Sequence, residues 1–177
     1  AAFYRDVFGC LPVPPERVGD AVLTPGWTAY ERYIQYQTYD VTALLRSGPN
    51  AVGALLGDGW YRGFIGFEGN RNTWGDRLAL LLQLHVTYED GRTAVITSDN
   101  QWAATQGPIR MADIYMGEIY DARLDHAGWT EPGYAVGDWA GVRVLDHGKQ
   151  TVVAQTAPLV KRQEELKPLY IIHTPAG

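Results

Sequence analysis

The sequence predicts an all-β fold, a jelly-roll β-sandwich with long aromatic-rich loops, and three observations support this. Short stretches of alternating apolar and polar residues recur along the chain, as expected for strands that bury one face. Turns rich in glycine, aspartate and proline separate these stretches. Only one short segment, residues 40–45, has the features of a helical turn, with Asp40 as its cap.

The first third of the chain is predicted to hold short strands. Residues 2–11 start as a strand, but Pro12, Pro14 and Pro15 interrupt it, since proline has no N–H to donate to a neighbouring strand. This segment is therefore an edge strand or a loop. The period-two pattern is clearer at residues 33–39. The strands predicted in this part are residues 2–11, 17–23, 33–39 and 51–56.

The clearest predicted strand is residues 78–88, which alternates leucine and valine with polar side chains. A hairpin turn at residues 89–91 leads back through residues 93–97, because Asp90–Gly91 tolerates positive φ. Extended structure is also expected at residues 114–115, 117–124 and 142–145. The hydrophilic run 161–167 is a linker or a charged strand, and 170–173 starts another unit. We expect a β-sandwich over residues 1–165 and, over 166–177, a linker with the first strand of a following β-domain.

Composition limits the classes of partner. The 177 residues are 46% hydrophobic and 20% charged, which suits one globular domain with a small appendage. A net charge of -5 and scattered basic residues argue against nucleic acid or an anionic membrane as partner. Cys10 is the single cysteine, so an intrachain disulfide and a cysteine-rich metal site are excluded. The compartment is left open.

The segment 57–77 is a long loop crowded with glycine and aromatic rings. Flat rings and directional polar groups suit a polyhydroxylated ligand, although the same rings can pack as a satellite core. A weaker pattern of oxygen donors suggests calcium, with Asp58, Asn70 and Asp76 as its ligands. The candidate sugar-binding residues are Trp60, Tyr61, Arg62, Asn70, Asn72, Trp74 and Asp76.

Glycosidic chemistry needs two carboxyl groups facing each other across the scissile bond. The sequence contains acidic residues, but it does not show that any two of them face each other at that separation. The nucleophile elbow, the Walker loop and the metalloprotease helix are all absent from the sequence. The residues alone therefore indicate a non-catalytic module. The carboxylates considered are Asp58, Glu68, Asp76, Glu118 and Asp121.

Several ordered motifs give the chain a family resemblance. These are PGWTAYERYIQYQTYDVTALL, GDGWYRGFIGF, GDRLALLLQLHVTYEDG, GEIYDARL, and the closing EELKP and IIHTPAG. In this order they resemble the N-terminal β-sandwich region of bacterial α-L-rhamnosidases of glycoside hydrolase family 78. The resemblance implies a galactose-binding-like, carbohydrate-binding-module-like sandwich. It also implies that the complete protein removes terminal α-L-rhamnose with inversion, using glutamates in an (α/α)₆-barrel that follows this fragment.

The resemblance leaves the role of the sandwich open. In some members it binds rhamnose with the help of calcium, and in others it is architectural, docking onto the catalytic barrel or a second subunit. Family members place an Asn-Gly hairpin just before the equivalent of residues 16–20, whereas Pro14–Pro15 stands here, so residues 5–16 depart from the pattern. Candidate residues for the domain junction are Glu118, Tyr120, Asp121 and Arg123, of which Asp121 and Arg123 are expected to share a strand face as an ion pair.

Overall fold

The computed structural model describes residues 17–66 and 69–173, and strands dominate the regular structure there. The described helices are α1, Gly59–Arg62, and three 3₁₀ turns at Thr42–Leu44, Ala122–Leu124 and Lys149–Thr151. This composition confirms the all-β prediction. The strands are β1 Ile34–Tyr36, β2 Gln83–Thr87, β3 Thr93–Thr97, β4 Ala103–Ala104, β5 Ile109–Asp113, β6 Gly117–Tyr120, β7 Ala140–Gly141 and β8 Val152–Ala154.

The described strands pair two by two, and two of the pairs join distant parts of the chain. The pairs β2–β3, β4–β7 and β5–β6 are antiparallel, whereas β1 and β8 run parallel. Next to the β1–β8 pair, Ala21 forms a bridge with Lys161, and the Val22 N–H donates to the Val160 carbonyl over 2.8 Å. The two ends of the described chain are thus held together, as the layered fold requires.

The β2–β3 hairpin confirms the clearest strand prediction in part. Its turn has positive φ at Gly91 and not at Asp90, so it is not a primed two-residue turn. The strand begins at Gln83 rather than residue 78. The reason is Ser98, whose Oγ accepts from the Leu82 N–H over 3.1 Å. The side-chain oxygen thereby takes the place of the backbone carbonyl that would continue the strand pairing.

Other predicted strands are wrong or shorter than predicted. The segments 51–56 and 142–145 contain no strand, and 114–115 lie in a turn. The strand at 170–173, expected to belong to a following domain, stays a prediction. The segment 17–23 keeps only the Ala21 bridge. Four observed strands, β4, β5, β7 and β8, were not predicted, because none of them carries a clean alternation. The prolines of residues 12–15, Cys10, Phe67 and Glu68 lie outside the described residues.

The core around the long loop is small and aromatic. Tyr30 is 7% exposed, and its hydroxyl donates to the Gly26 carbonyl over 2.6 Å. Asp113 is buried to the same extent. In the part of the chain that the structure describes, the helices are too short to cross a bilayer.

Candidate functional site

The candidate loop begins at α1, where Asp58 is held by two arginines. Arg62 Nε lies 2.5 Å from Asp58 Oδ1, and Arg71 Nη2 lies 3.2 Å from Asp58 Oδ2. The Asp58 side chain is only 13% exposed. Both carboxylate oxygens therefore already have cationic partners, which ties the start of the loop to its middle.

Trp60 packs against other rings. Its ring is stacked on Trp27 at a centroid distance of 5.0 Å and an interplanar angle of 9°. Tyr115 meets the same ring edge-on at 6.2 Å. One face of Trp60 is thus covered by protein, as the satellite-core interpretation expects.

Tyr61 and Trp74 converge on Tyr30. Both rings meet Tyr30 in T-shaped geometry, at 5.4 Å and 5.6 Å. The absence of a side chain at Gly75 makes room for Tyr61, since a Cβ there would lie 2.2 Å from the Tyr61 hydroxyl. The indole Nε1 of Trp74 is buried, and no acceptor lies within reach among the described residues.

Backbone hydrogen bonds join the two sides of the loop. The Ile65 N–H donates to the Asn70 carbonyl over 2.9 Å, and the Asn72 N–H donates to the Arg62 carbonyl over 3.0 Å. Asn72 has a φ of 60°, which asparagine tolerates better than most residues. Residues 70–72 are therefore held beside α1 and the residues that follow it.

The calcium candidates are placed in different surroundings. Asp58 is paired with arginines, whereas the Asp76 side chain is 76% exposed and lies 3.8 Å from Arg77 Nε. Across residues 17–66 and 69–173, no group of three histidine, cysteine or acidic side chains is arranged to hold a metal. Calcium binding stays a prediction.

Asp113 is a central residue that sequence reasoning missed. It ends β5, and its Oδ2 accepts from the Phe64 N–H over 2.6 Å. Its Oδ1 accepts from the N–H groups of Tyr115 and Met116, each over 2.8 Å. One carboxylate thus connects the loop to the turn between β5 and β6. An aspartate just before a turn is a known signal for such bonds, but sequence gives no hint of the loop partner.

The predicted junction residues lie on β6 and in the turn that follows it. The sequence predicts Asp121 and Arg123 on one strand face, but this is wrong because residues 122–124 form a 3₁₀ turn capped by Asp121. The ion pair still forms, with Arg123 Nη2 2.6 Å from Asp121 Oδ2. Hydrogen bonds from Arg123 lower the pKa of Asp121. Glu118 and Tyr120 lie on β6, opposite Ala112 and Ile109 of β5. The junction role stays a prediction.

The buried Tyr30 hydroxyl predicts an alkaline limit to stability. Burial raises the pKa of Tyr30 to about 12, whereas an unfolded tyrosine ionises near pH 10. The stabilisation is therefore complete below about pH 10 and is lost as the pH rises towards 12, by up to about 2–3 kcal/mol. Urea unfolding between about pH 9 and 12 measures this slope. In Tyr30→Phe the slope should become shallower, and an unchanged slope would contradict the assignment.

Comparison with known proteins decides the family. Residues 11–164 match the family model described as the α-L-rhamnosidase N-terminal domain. The chain belongs to this family. An α-L-rhamnosidase of Streptomyces avermitilis is 47% identical over 151 residues, which are 85% of this chain and 15% of that relative. One from Formosa agariphila is 43% identical over 133 residues, 73% of this chain and 14% of that relative.

Solved structures confirm the sandwich fold. Native α-L-rhamnosidase from Aspergillus terreus superposes with a TM-score of 0.88 at 43% identity, covering 92% of this chain and 19% of that one. The Streptomyces avermitilis enzyme, solved in complex with L-rhamnose, gives a TM-score of 0.75 at 43% identity, covering 84% of this chain and 14% of that one. The chain thus spans about a seventh to a fifth of these relatives. The family resemblance read from the motifs is confirmed.

Proposed function

We propose that this domain is a non-catalytic accessory part of a larger α-L-rhamnosidase that hydrolyses terminal α-L-rhamnose from glycosides or polysaccharides. The observation that carries this proposal is that the least exposed carboxylates of the site already have partners within the protein. Asp58 is paired with two arginines, and Asp113 accepts three backbone N–H bonds. Glycosidic hydrolysis needs two carboxyl groups that face each other across the scissile bond, whereas both of these carboxylates already have protein partners.

The exposed surface supports a place within a larger protein. Across the described residues many large apolar side chains are exposed, among them Trp27 and Ile119. Apolar side chains near residue 170 are among the most exposed, with Leu169 at 94% and Ile171 at 85%. Burial of such side chains against a following β-domain and the catalytic barrel would be favourable. In this proposal residues 166–173 lead into that following domain.

Hydrolysis assays test the proposal directly. The purified 177-residue chain is expected to give no turnover of an aryl α-L-rhamnoside above the uncatalysed background, because its least exposed carboxylates already accept hydrogen bonds from the protein itself. The full-length Streptomyces avermitilis relative serves as the positive control. Turnover by the isolated chain at a rate comparable with that enzyme would contradict the proposal.

Rhamnose binding by the loop is the second candidate function. An open groove of about 340 Å³ lies beside Trp27, Tyr33 and Trp74. Trp27 is 55% exposed and Tyr33 42% exposed, so both offer ring surface to a sugar. Calorimetry with L-rhamnose, with and without a calcium chelator, separates this role from a purely structural one. Heat of binding that the chelator abolishes would favour the calcium-assisted module, and no heat in either case would leave the architectural role.

A further inference from the structure

A second group of rings surrounds Trp139 and shares no residue with the long loop. The Trp139 ring lies 5.6 Å from His126, 5.9 Å from Tyr134 and 6.4 Å from Trp129, measured between centroids. Trp139, Tyr134 and His126 line a pocket of about 260 Å³. That volume is just below the range of about 300–1,000 Å³ found for drug-sized ligands. The pocket therefore suits a ligand the size of one sugar ring.

The strand pair β4–β7 positions two walls of this pocket. Ala104 is paired with Ala140 in antiparallel register. Thr105 follows β4 and Trp139 precedes β7. The antiparallel register therefore places these two residues opposite each other. The Trp139 N–H donates to the Val136 carbonyl over 2.7 Å, which fixes the turn leading into β7.

The rear of the ring cluster is anchored by a glycine. A Cβ at Gly53 would lie 2.3 Å from the Trp129 ring, so only glycine allows that ring to pack so closely. The Trp129 N–H in turn donates to the His126 carbonyl over 3.1 Å. The pocket therefore has fixed aromatic walls rather than loosely held surface rings.

The polar groups of the pocket are mostly acceptors. His126 Nε2 lies 3.1 Å from the Gln106 carbonyl, and a carbonyl can only accept, so Nε2 carries the hydrogen. In the neutral ring this leaves Nδ1 as an acceptor. The Asp138 carboxylate and the Thr105 hydroxyl line the same pocket. Aromatic faces beside several acceptors match a ligand with an apolar C–H face and donating hydroxyl groups.

We propose that this pocket is a sugar-binding site for a neutral pyranose, separate from the long loop. The Trp139 ring is the platform for the C–H face of the sugar, and Asp138 with His126 accepts from its hydroxyl groups. The choice of L-rhamnose as the ligand to test rests on the proposed function, whereas the site itself rests on the rings and acceptors.

Titration of the ¹⁵N-labelled 177-residue chain with L-rhamnose tests the site. The chain has six tryptophans and hence six indole N–H signals, and Trp139→Phe identifies the signal of Trp139 by removing it. That signal is expected to shift and saturate with a Kd of about 1 mM. Asp138→Asn should weaken binding about tenfold, because it removes a charged acceptor. Trp139→Ala should abolish the shifts that L-rhamnose causes in the backbone amide signals of Asp138 and its neighbours.

Matched controls make the result decisive. Trp27→Phe alters a tryptophan of the other groove and should leave the Trp139 shift unchanged. A shift of the Trp27 signal without a shift of the Trp139 signal would overturn the proposal. The proposal would also be overturned if neither L-rhamnose nor glucose shifted the Trp139 signal. A shift caused only by the cationic probe choline would also overturn it. Hydrolysis of an aryl rhamnoside by the chain would refute the non-catalytic role without altering these signals, so the two failures are distinguishable.

Discussion

Replacing Tyr30 with alanine is expected to lower the free energy of unfolding by about 3–5 kcal/mol, the range for removing a large buried ring. Tyr30 is 7% exposed, and its ring packs in T-shaped geometry against Tyr61 and Trp74, at centroid distances of 5.4 Å and 5.6 Å. Its loss leaves a cavity under the long loop and deprives both rings of their common partner. The midpoint of urea unfolding, followed by circular dichroism, measures the change.

Two further variants identify the source of the Tyr30 effect. Tyr30→Phe keeps the ring and removes only the bond to the Gly26 carbonyl, so it should cost about 1 kcal/mol. Tyr33→Ala removes a nearby tyrosine that is 42% exposed, and it should cost less than about 1 kcal/mol. Equal losses for Tyr30→Ala and Tyr33→Ala would show that the ring cluster is not a core.

The sequence predicts the all-β class and the hairpin well because both depend on local signals. The alternation over residues 83–87 and the glycine at position 91 specify a strand and its turn without reference to distant residues. The strand at 93–97 was predicted with its observed bounds. Asp40 likewise sits at the predicted helical turn, where its Oδ1 accepts from the Thr42 N–H over 2.9 Å.

The failures have two physical causes, which are pairing with strands far along the chain and side chains that take the place of backbone partners. The parallel pairing of β1 with β8 joins residues more than a hundred positions apart, and no local pattern encodes it. Ser98 ends β2 early by taking the place of a ladder partner. Side-chain capping by Asp121 converts the predicted strand end at 122–124 into a turn.

For the candidate site, the sequence identified the loop but not what its side chains contact. Glycine and ring density mark the segment 57–76, but its first turn is the helix α1, which the sequence did not predict. Whether a ring faces a ligand or another ring depends on what lies opposite, and Trp27 and Tyr30 come from another segment. Trp60 and Tyr61 both contact rings of that other segment, and a sugar-binding role for them stays a prediction.

Asp113→Ala is expected to lower the free energy of unfolding by about 2–4 kcal/mol. The carboxylate accepts from the N–H groups of Phe64, Tyr115 and Met116, and hydrogen bonds to a charged group are each worth about 1.5–3 kcal/mol without being additive. Position 113 is only 7% exposed, so alanine there leaves these three N–H donors without an acceptor. The same urea titration gives the change in free energy, and amide exchange at Phe64 reports the loop locally.

The matched control for Asp113 is another aspartate at a turn. Asp99 Oδ1 accepts only from the Gln101 N–H, over 2.9 Å and at an exposed position, so Asp99→Ala should cost less than about 1 kcal/mol. Asp113→Asn keeps an acceptor oxygen for Tyr115 and Met116 but turns an amide N–H₂ towards the Phe64 donor. It should therefore fall between the other two variants and speed exchange at Phe64 more than at Tyr115. If it instead matched wild type at both amides, the carboxylate would not be what joins the loop to the β5–β6 turn.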